Sequence, residues 1–299
     1  MPNERLFAHL RHRRPDGLWS ADWSFDIGWQ RIVDDRITRN FGSAIRRRES
    51  NRSDLFGLTL SASRETGQGS WIIGGDVYYD RVASQRVEED LTSGQASTVQ
   101  SRFPDDSSIG QAAVYANLQQ RIGERQHFSG GLRLSAVDID LPQTTASTAA
   151  SLSLVDISAD IGWIFELSDQ AQFVANIAHG FRAPNIFDMG TLGERPGNRF
   201  NIPNPALDTE HVTQFDAGVR GHNDRWSSEL IFFWLHYKDR ITSVLTGAMT
   251  ANLRASWLPN EKWHVTVSLE NLFDKQYRHH GSGIDAVGRN FTVSFQVQW

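Results

Sequence analysis

The sequence predicts an all-β chain, a transmembrane antiparallel β-barrel. Three observations carry that reading. Apolar and polar residues alternate strictly over many segments. Short turn signals and long polar connections alternate along the whole chain. The 299 residues also include 10 Trp, 17 Phe and 5 Tyr, yet mean hydropathy is only −0.43. Fine mixing of aromatic and polar residues is what a wall with one lipid face and one wet face requires.

The first strand is expected at about residues 4–13. The clearest alternation follows, from Trp19 to Gln30: Trp19, Ala21, Trp23, Phe25, Ile27 and Trp29 interleave with Ser20, Asp22, Ser24, Asp26, Gly28 and Gln30. A period of two means a strand with opposed faces. Weaker copies run over Phe56–Ala62, Trp71–Tyr79, Ala112–Leu118, Phe128–Ala136, Val155–Trp163, Phe173–Ile177, Phe215–Val219 and Ala251–Trp257. Trp226–Tyr237 is apolar on both faces and has no assignable orientation. Trp263–Leu269 and Phe291–Trp299 alternate cleanly again. The sum is about thirteen strands of about ten residues, the length that crosses a bilayer.

Tight turns are expected at Pro15-Asp16-Gly17, Thr66–Gly69, Gly123–Arg125, Ser168–Gln170, His222–Asp224 and Pro259–Glu261. Gly, Asn, Asp and Pro supply the dihedrals of short hairpins. Long polar connections are expected at 32–52, 83–108, 139–150, 182–209, 241–249 and 274–288. A soluble sandwich also alternates, but has no reason to collect short turns at one end and long loops at the other. Outer-membrane barrels do so, and add aromatic girdles at both interfaces. Trp19, Trp29, Trp263 and Trp299 are placed as girdle residues would be. Trp23 is expected to face lipid and Ser24 the lumen.

Composition excludes other classes. There is no Cys, so no disulfide, thiolate metal site or cysteine nucleophile. No apolar run is long enough for a membrane helix. A sequence pI of about 6.1 argues against nucleic acid as a partner. An odd strand number would leave the first and last strands parallel, with open edges that lipid penalises. Met1–Arg14 has charge at both ends and no apolar core, so it is not a secretory signal. Both points create the expectation that this chain is part of a longer protein.

Motifs enter in the second half. Gly180-Phe181-Arg182-Ala183-Pro184-Asn185 precedes Asn204-Pro205-Ala206-Leu207-Asp208-Thr209-Glu210. Glu270-Asn271-Leu272-Phe273-Asp274-Lys275-Gln276-Tyr277-Arg278 and Gly288-Arg289-Asn290-Phe291 lie near the end. These resemble the paired FRAP and NPxLxxE boxes, the penultimate-strand signature and the last strand of TonB-dependent outer-membrane receptors. The resemblance implies a Gram-negative outer-membrane location and a barrel of about 22 strands around a plug. It also implies uptake of an iron–siderophore, haem or a similar scarce nutrient. Residues 1–299 would be a partial barrel domain of about 13 strands, without a plug domain or TonB box. The short segment Ile241–Ala251 is where the family has further strands. Implied partners are outer-membrane lipid, the barrel-assembly machinery acting on the terminal Trp299, and a small extracellular ligand. TonB itself is implied only if a plug is supplied upstream.

Candidate ligand-binding residues are Arg182, Arg195, Asn198 and Arg199, cations and an amide able to grip an anionic chelate. Each also has a plainer role: Arg182 can pair with a lumen carboxylate, Pro184 can end a strand, and the 185–203 loop can simply be solvated. No His lies between residues 180 and 210; His179 and His211 flank that interval, which weakens the haem reading. His279-His280 lacks the further ligands a metal site needs. Asp34-Asp35 and Asp105-Asp106 are carboxylate pairs of the kind that activates water, but adjacent strand residues point oppositely. No catalytic set, cofactor or metal site is therefore expected. A receptor for nutrient uptake is the first reading; a passive porin-like channel is the alternative.

Overall fold

The computed structural model describes residues 4–144, 149–190, 193–195, 199–201, 204, 206–223, 225–239, 241, 247–260, 263–274 and 288–297. The long strands are β1 (Glu4–Arg14), β2 (Asp22–Thr38), β3 (Ile45–Thr66), β4 (Gly69–Asp90), β6 (Ser107–Ile122), β7 (Gln126–Leu141), β8 (Ala150–Ser168) and β9 (Ala171–Arg182). They continue with β12 (Glu210–His222), β13 (Trp226–Lys238), β14 (Gly247–Asn260), β15 (Trp263–Glu270) and β16 (Asn290–Val297). The loops add the short strand β5 (Ala96–Val99), helix α1 (Ile186–Gly190) and the hairpin β10 (Gly193–Arg195)–β11 (Arg199–Asn201).

One antiparallel sheet of 14 strands results, in the order β1-β2-β3-β4-β6-β7-β8-β9-β12-β13-β14-β15-β16, with β5 alongside β4. Every long strand pairs with its neighbour in that order, so the chain is a meander. The sheet is not closed: β1 and β16 are its two edges. Among the described residues the turns predicted to be short fall at one end of the sheet and the other connections at the opposite end. Gly123 takes φ +66 in its turn, a conformation that costs glycine nothing.

The two faces follow the alternation. On the outer face Leu58, Leu60, Val77, Leu134 and Ile157 are exposed, and Ile161 and Phe295 are 62% and 68% exposed. On the other face Asp76 receives both terminal nitrogens of Arg133 at 2.8 Å, and Asn176 bonds Asp216 at 3.0 Å. The strand β13 now has an orientation. Leu235 and Tyr237 are buried with Val212, while Leu230, Phe232 and Trp234 face outward.

Aromatic rows bound the apolar band. At the loop end Trp29, Phe56 and Tyr79 stand in register. At the turn end Phe128 faces Trp163, and Phe165 faces Phe173. Trp71 and Tyr79 lie on one face of β4, separated by about 26 Å of strand at ~3.3 Å per residue. That matches an apolar band of about 25 Å. One position beyond Trp29 and Phe56 the outer face becomes charged, where Arg31 pairs with Asp54 at 2.7 Å. Arg31 also lies 5.3 Å over the Trp29 ring.

Two expectations need correction. Trp19 is not in a strand: β2 starts at Asp22, and Trp19 and Ser20 adopt φ 63 and 49 in a 3-10 turn. The alternation there continued across a turn by coincidence of composition. The stretches 32–52 and 83–108 are also not mainly loop. β2, β3 and β4 run on past the apolar band as long hairpin arms, and the turn between β2 and β3 is only 39–44. Both faces of these arms carry polar side chains, so they lack the alternation that marks a strand facing lipid on one side. Backbone ladders and cross-strand ion pairs hold them: Arg46–Glu89 and Arg47–Glu88 at 2.7 Å, Arg86–Glu49 at 3.2 Å.

Two outcomes are expected. Leu60→Arg, in mid-band on the outer face, should cost about 2–4 kcal/mol of barrel stability, and Ser61→Arg on the inner face far less; denaturant titration in lipid vesicles measures both. In the arms, the hydrogen bond from Arg46 holds the Glu89 carboxyl below its ordinary range. A carboxylate with a lowered folded pKa contributes above its unfolded pKa and loses that contribution as pH falls through the folded value. Amide protection factors in 45–52 and 83–90 should therefore be steady from about pH 6 to 8 and fall in acid.

Candidate ligand-binding mouth

The FRAP and NPxLxxE boxes meet at the loop end. β9 ends at Arg182, and Pro184, fully buried, stops the strand. The chain then turns inward as α1. Asn185 caps it: its Oδ1 accepts the Asp188 N–H at 2.9 Å, and its own N–H reaches Asp188 Oδ2 at 3.3 Å. Arg182 donates to Asp188 Oδ2 at 2.7 Å and lies 3.7 Å from Glu210. Glu210, buried, also accepts the Ile241 N–H at 3.0 Å. One guanidinium thus ties the end of β9 to α1 and to the start of β12.

Apolar packing fixes the same cap. Ile186 and Met189 of α1 pack on Val137, Ile139 and Leu141 of β7, with Ala183 and Leu207 of the two boxes against them. Met189 is 0% exposed. A Cβ on Gly190 would lie 2.8 Å from Pro104 Cδ, so only glycine permits this approach. Arg102 lies over the rings of Phe103 and Phe187 at 5.7 and 5.8 Å. Asn204 donates its N–H to the Met189 carbonyl at 2.8 Å, and its Oδ1 accepts the Ala206 N–H at 3.3 Å. The boxes are therefore two halves of one cap.

The sequence-derived ligand candidates separate. Arg182 is engaged inside the cap. Arg195 and Arg199 are Cα partners in the β10–β11 hairpin. Asn198 and Pro205 lie outside the described residues, as do Tyr277, Trp299 and the His279-His280 pair. At the closing box, Asn271 is fully buried with φ 53 and donates its N–H to Asn252 Oδ1 at 2.8 Å. The Leu272 N–H reaches the Ala251 carbonyl at 3.0 Å, and Asp274 Oδ1 accepts the Arg289 N–H at 2.7 Å. Asn271 thus turns the chain off β15, and Phe273 stays half exposed. Asn tolerates the left-handed region better than most residues. Asp34 and Asp35 lie in β2, where Asp34 pairs with Arg36 at 2.5 Å. Asp105 accepts the Ser84 N–H at 2.8 Å and Asp106 pairs with Arg81. Asp34, Asp105 and Asp106 are thus engaged in local structure.

Two clefts open among these elements. One of about 1580 Å³ lies between the arms of β3–β5 and the segment beyond, lined by Arg52, Arg86, Gln100, Ser101, Asp105 and Gln143. A second of about 680 Å³ near the turns is lined by Gln119, His127, Glu166, Asn176, Asp216 and Arg220. Composition and spacing did not reveal the contribution of Phe103-Pro104 to the cap. Nor did they show that Asp156 comes close to His179 and His211; a cross-strand register would have been needed. Arg182→Ala is expected to lower stability by about 1–3 kcal/mol, because it removes the cation that joins Asp188 to buried Glu210. Faster amide exchange confined to 183–190 and the start of β12 would accompany the loss.

The chain matches the family model described as TonB dependent receptor-like, beta-barrel, over residues 2–297. No curated protein matches it. Its fold is that of the copper transporter OprC, with 15% identity and a TM-score of 0.74, covering 90% of this chain and 46% of that one. The ferric yersiniabactin uptake receptor FyuA from Yersinia pestis follows at 14% identity and TM-score 0.62, covering 89% and 42%. The Serratia marcescens hemophore receptor HasR, solved with its hemophore HasA and heme, gives 10% and 0.55, covering 90% and 51%. The chain thus spans about half the length of these structures or less. Family and neighbours are Gram-negative outer-membrane receptors and transporters, not enzymes, so the short turns face the periplasm and the long connections the exterior. The chain belongs to the TonB-dependent receptor family, and its described strands are barrel wall of that family.

Proposed function

We propose that the chain supplies barrel wall to an outer-membrane receptor that takes up an iron–siderophore, haem or a similar scarce chelate with TonB-derived energy. On this reading residues 1–299 are a partial barrel domain, and a plug joins it from elsewhere in the receptor. The observation that carries the proposal is the cap built from both family boxes. The β10–β11 hairpin that carries Arg195 and Arg199 follows α1 of that cap directly in the chain. Two arginines in cross-strand register, with Asn198 between them in sequence, suit an anionic chelate through charge-assisted hydrogen bonds. The outer cleft of about 1580 Å³ exceeds the ~300–1,000 Å³ of drug-sized sites, which accords with a bulky ligand. A porin-like channel rests on the wet inner face alone and leaves the cap without a purpose.

The test is binding and uptake. Combined Arg195→Ala and Arg199→Ala should weaken binding of an anionic ferric chelate about tenfold, more at low salt. Arg121→Ala, at a periplasmic turn, should not. Energy-independent flux of small sugars through vesicles carrying the chain, with no chelate bound, would support the channel instead.

A further inference from the structure

Outside the mouth, one cluster brings together side chains far apart in sequence. By register His179 lies opposite Thr213, and His211 opposite Phe181. Both histidines therefore share the outer face with Ile177 and Phe215, which are exposed and apolar. The β8–β9 ladder ends at Ala159 and His179. Just beyond that end, Asp156 Oδ1 accepts the Ile157 N–H at 2.8 Å, and Oδ2 lies 2.7 Å from His211 Nε2. The two imidazoles stack with centroids 5.7 Å apart and planes 21° apart. His179 Nδ1 meets Thr213 Oγ1 at 3.1 Å. His211 Nδ1 is buried and has no hydrogen-bond partner.

We propose that Asp156, His179 and His211 bind one divalent first-row transition-metal cation, of the Zn²⁺, Ni²⁺ or Cu²⁺ class, in the gap between β8 and β12 beyond the end of the β8–β9 ladder. One ligand atom from each residue already lies within 4.8 Å of the others. Tetrahedral coordination with bonds near 2.0–2.2 Å needs separations of about 3.4 Å, a change that side-chain rotation supplies. A hydrogen-bonded Asp–His pair alone would account for the short Asp156 contact. It would not account for a second imidazole stacked beside it, held by a threonine. Two imidazoles with one carboxylate select these cations over Ca²⁺ and Mg²⁺, which require oxygen ligands. Three protein ligands leave a coordination position open to water or a ligand. The cation would bridge β8, β9 and β12 where their ladder stops. Binding releases any protons held by the imidazoles.

The experiment uses the full 299-residue chain without an affinity tag, refolded in detergent. Calorimetric titration with Zn²⁺ should show saturable binding of one equivalent at this site. Co²⁺ should give the intense visible absorption of a low-coordinate complex, displaced by Zn²⁺ and not by Mg²⁺ or Ca²⁺. Asp156→Asn and His211→Gln keep shape and hydrogen bonding, so circular dichroism should be unchanged. Each should weaken this binding at least as much as the ~10–100-fold that losing an outer-shell partner costs. Replacing His279 and His280 together by Ala should leave it intact. The proposal is overturned by no saturable binding below about millimolar Zn²⁺, by undiminished affinity in both Asp156→Asn and His211→Gln, or by loss confined to the His279/His280 variant. None of these results bears on chelate uptake, so the two readings stand or fall separately.

Discussion

Everything in this structure depends on pairing the backbone where no water can do it. Inside a bilayer each unpaired N–H or C=O costs several kcal/mol. An antiparallel meander pairs every strand with its chain neighbour, so the ladder is built from local hairpins. Given the ladder, side chains alternate between the two faces by geometry alone. The sequence must then place Leu58 and Leu60 on one face and Asp76 and Arg133 on the other. A one-residue slip would reverse the whole set. The band from Trp71 to Tyr79 is wide because lipid is thick; its charged edge at Arg31 and Asp54 marks where water resumes.

This explains which parts of the fold could be read in advance. Thirteen long strands, and the short turns among the described residues, follow from alternation and from Gly, Asn, Asp and Pro, because lipid on one face leaves a period-two signature. The arms above the band carry no such signature. Arg46, Arg47, Glu88 and Glu89 read as a solvated loop, although their pairing holds them in strands. The same blindness affects Trp19, whose apolar character continued the pattern into a turn. β13 failed for the opposite reason: both faces are apolar there, since Leu235 and Tyr237 pack in the interior while Trp234 faces lipid.

The candidate sites show a similar division. The family boxes could be recognised in the sequence, but their work as one cap could not. That needs Arg182, Asp188 and Glu210 brought together, and α1 folded onto β7. The cap leaves Arg182 committed to carboxylates of its own chain and turns attention to Arg195 and Arg199. The Asp156, His179 and His211 cluster was hidden by distance along the chain. Reading His179 and His211 as flanking an interval missed that β9 and β12 are neighbours whose register places the two rings on one face.

The central claim is the two-faced wall, and spin-label scanning of β3 from residue 50 to residue 63 in lipid vesicles tests it most directly. Nitroxides at 56, 58 and 60 should be accessible to oxygen dissolved in lipid. Those at 57, 59, 61 and 63 should be accessible to a water-soluble relaxer instead, and the oxygen signal should fall off from residue 54 downward in number. A signal without a period of two, or lipid exposure continuing through residues 50–54, would contradict the account.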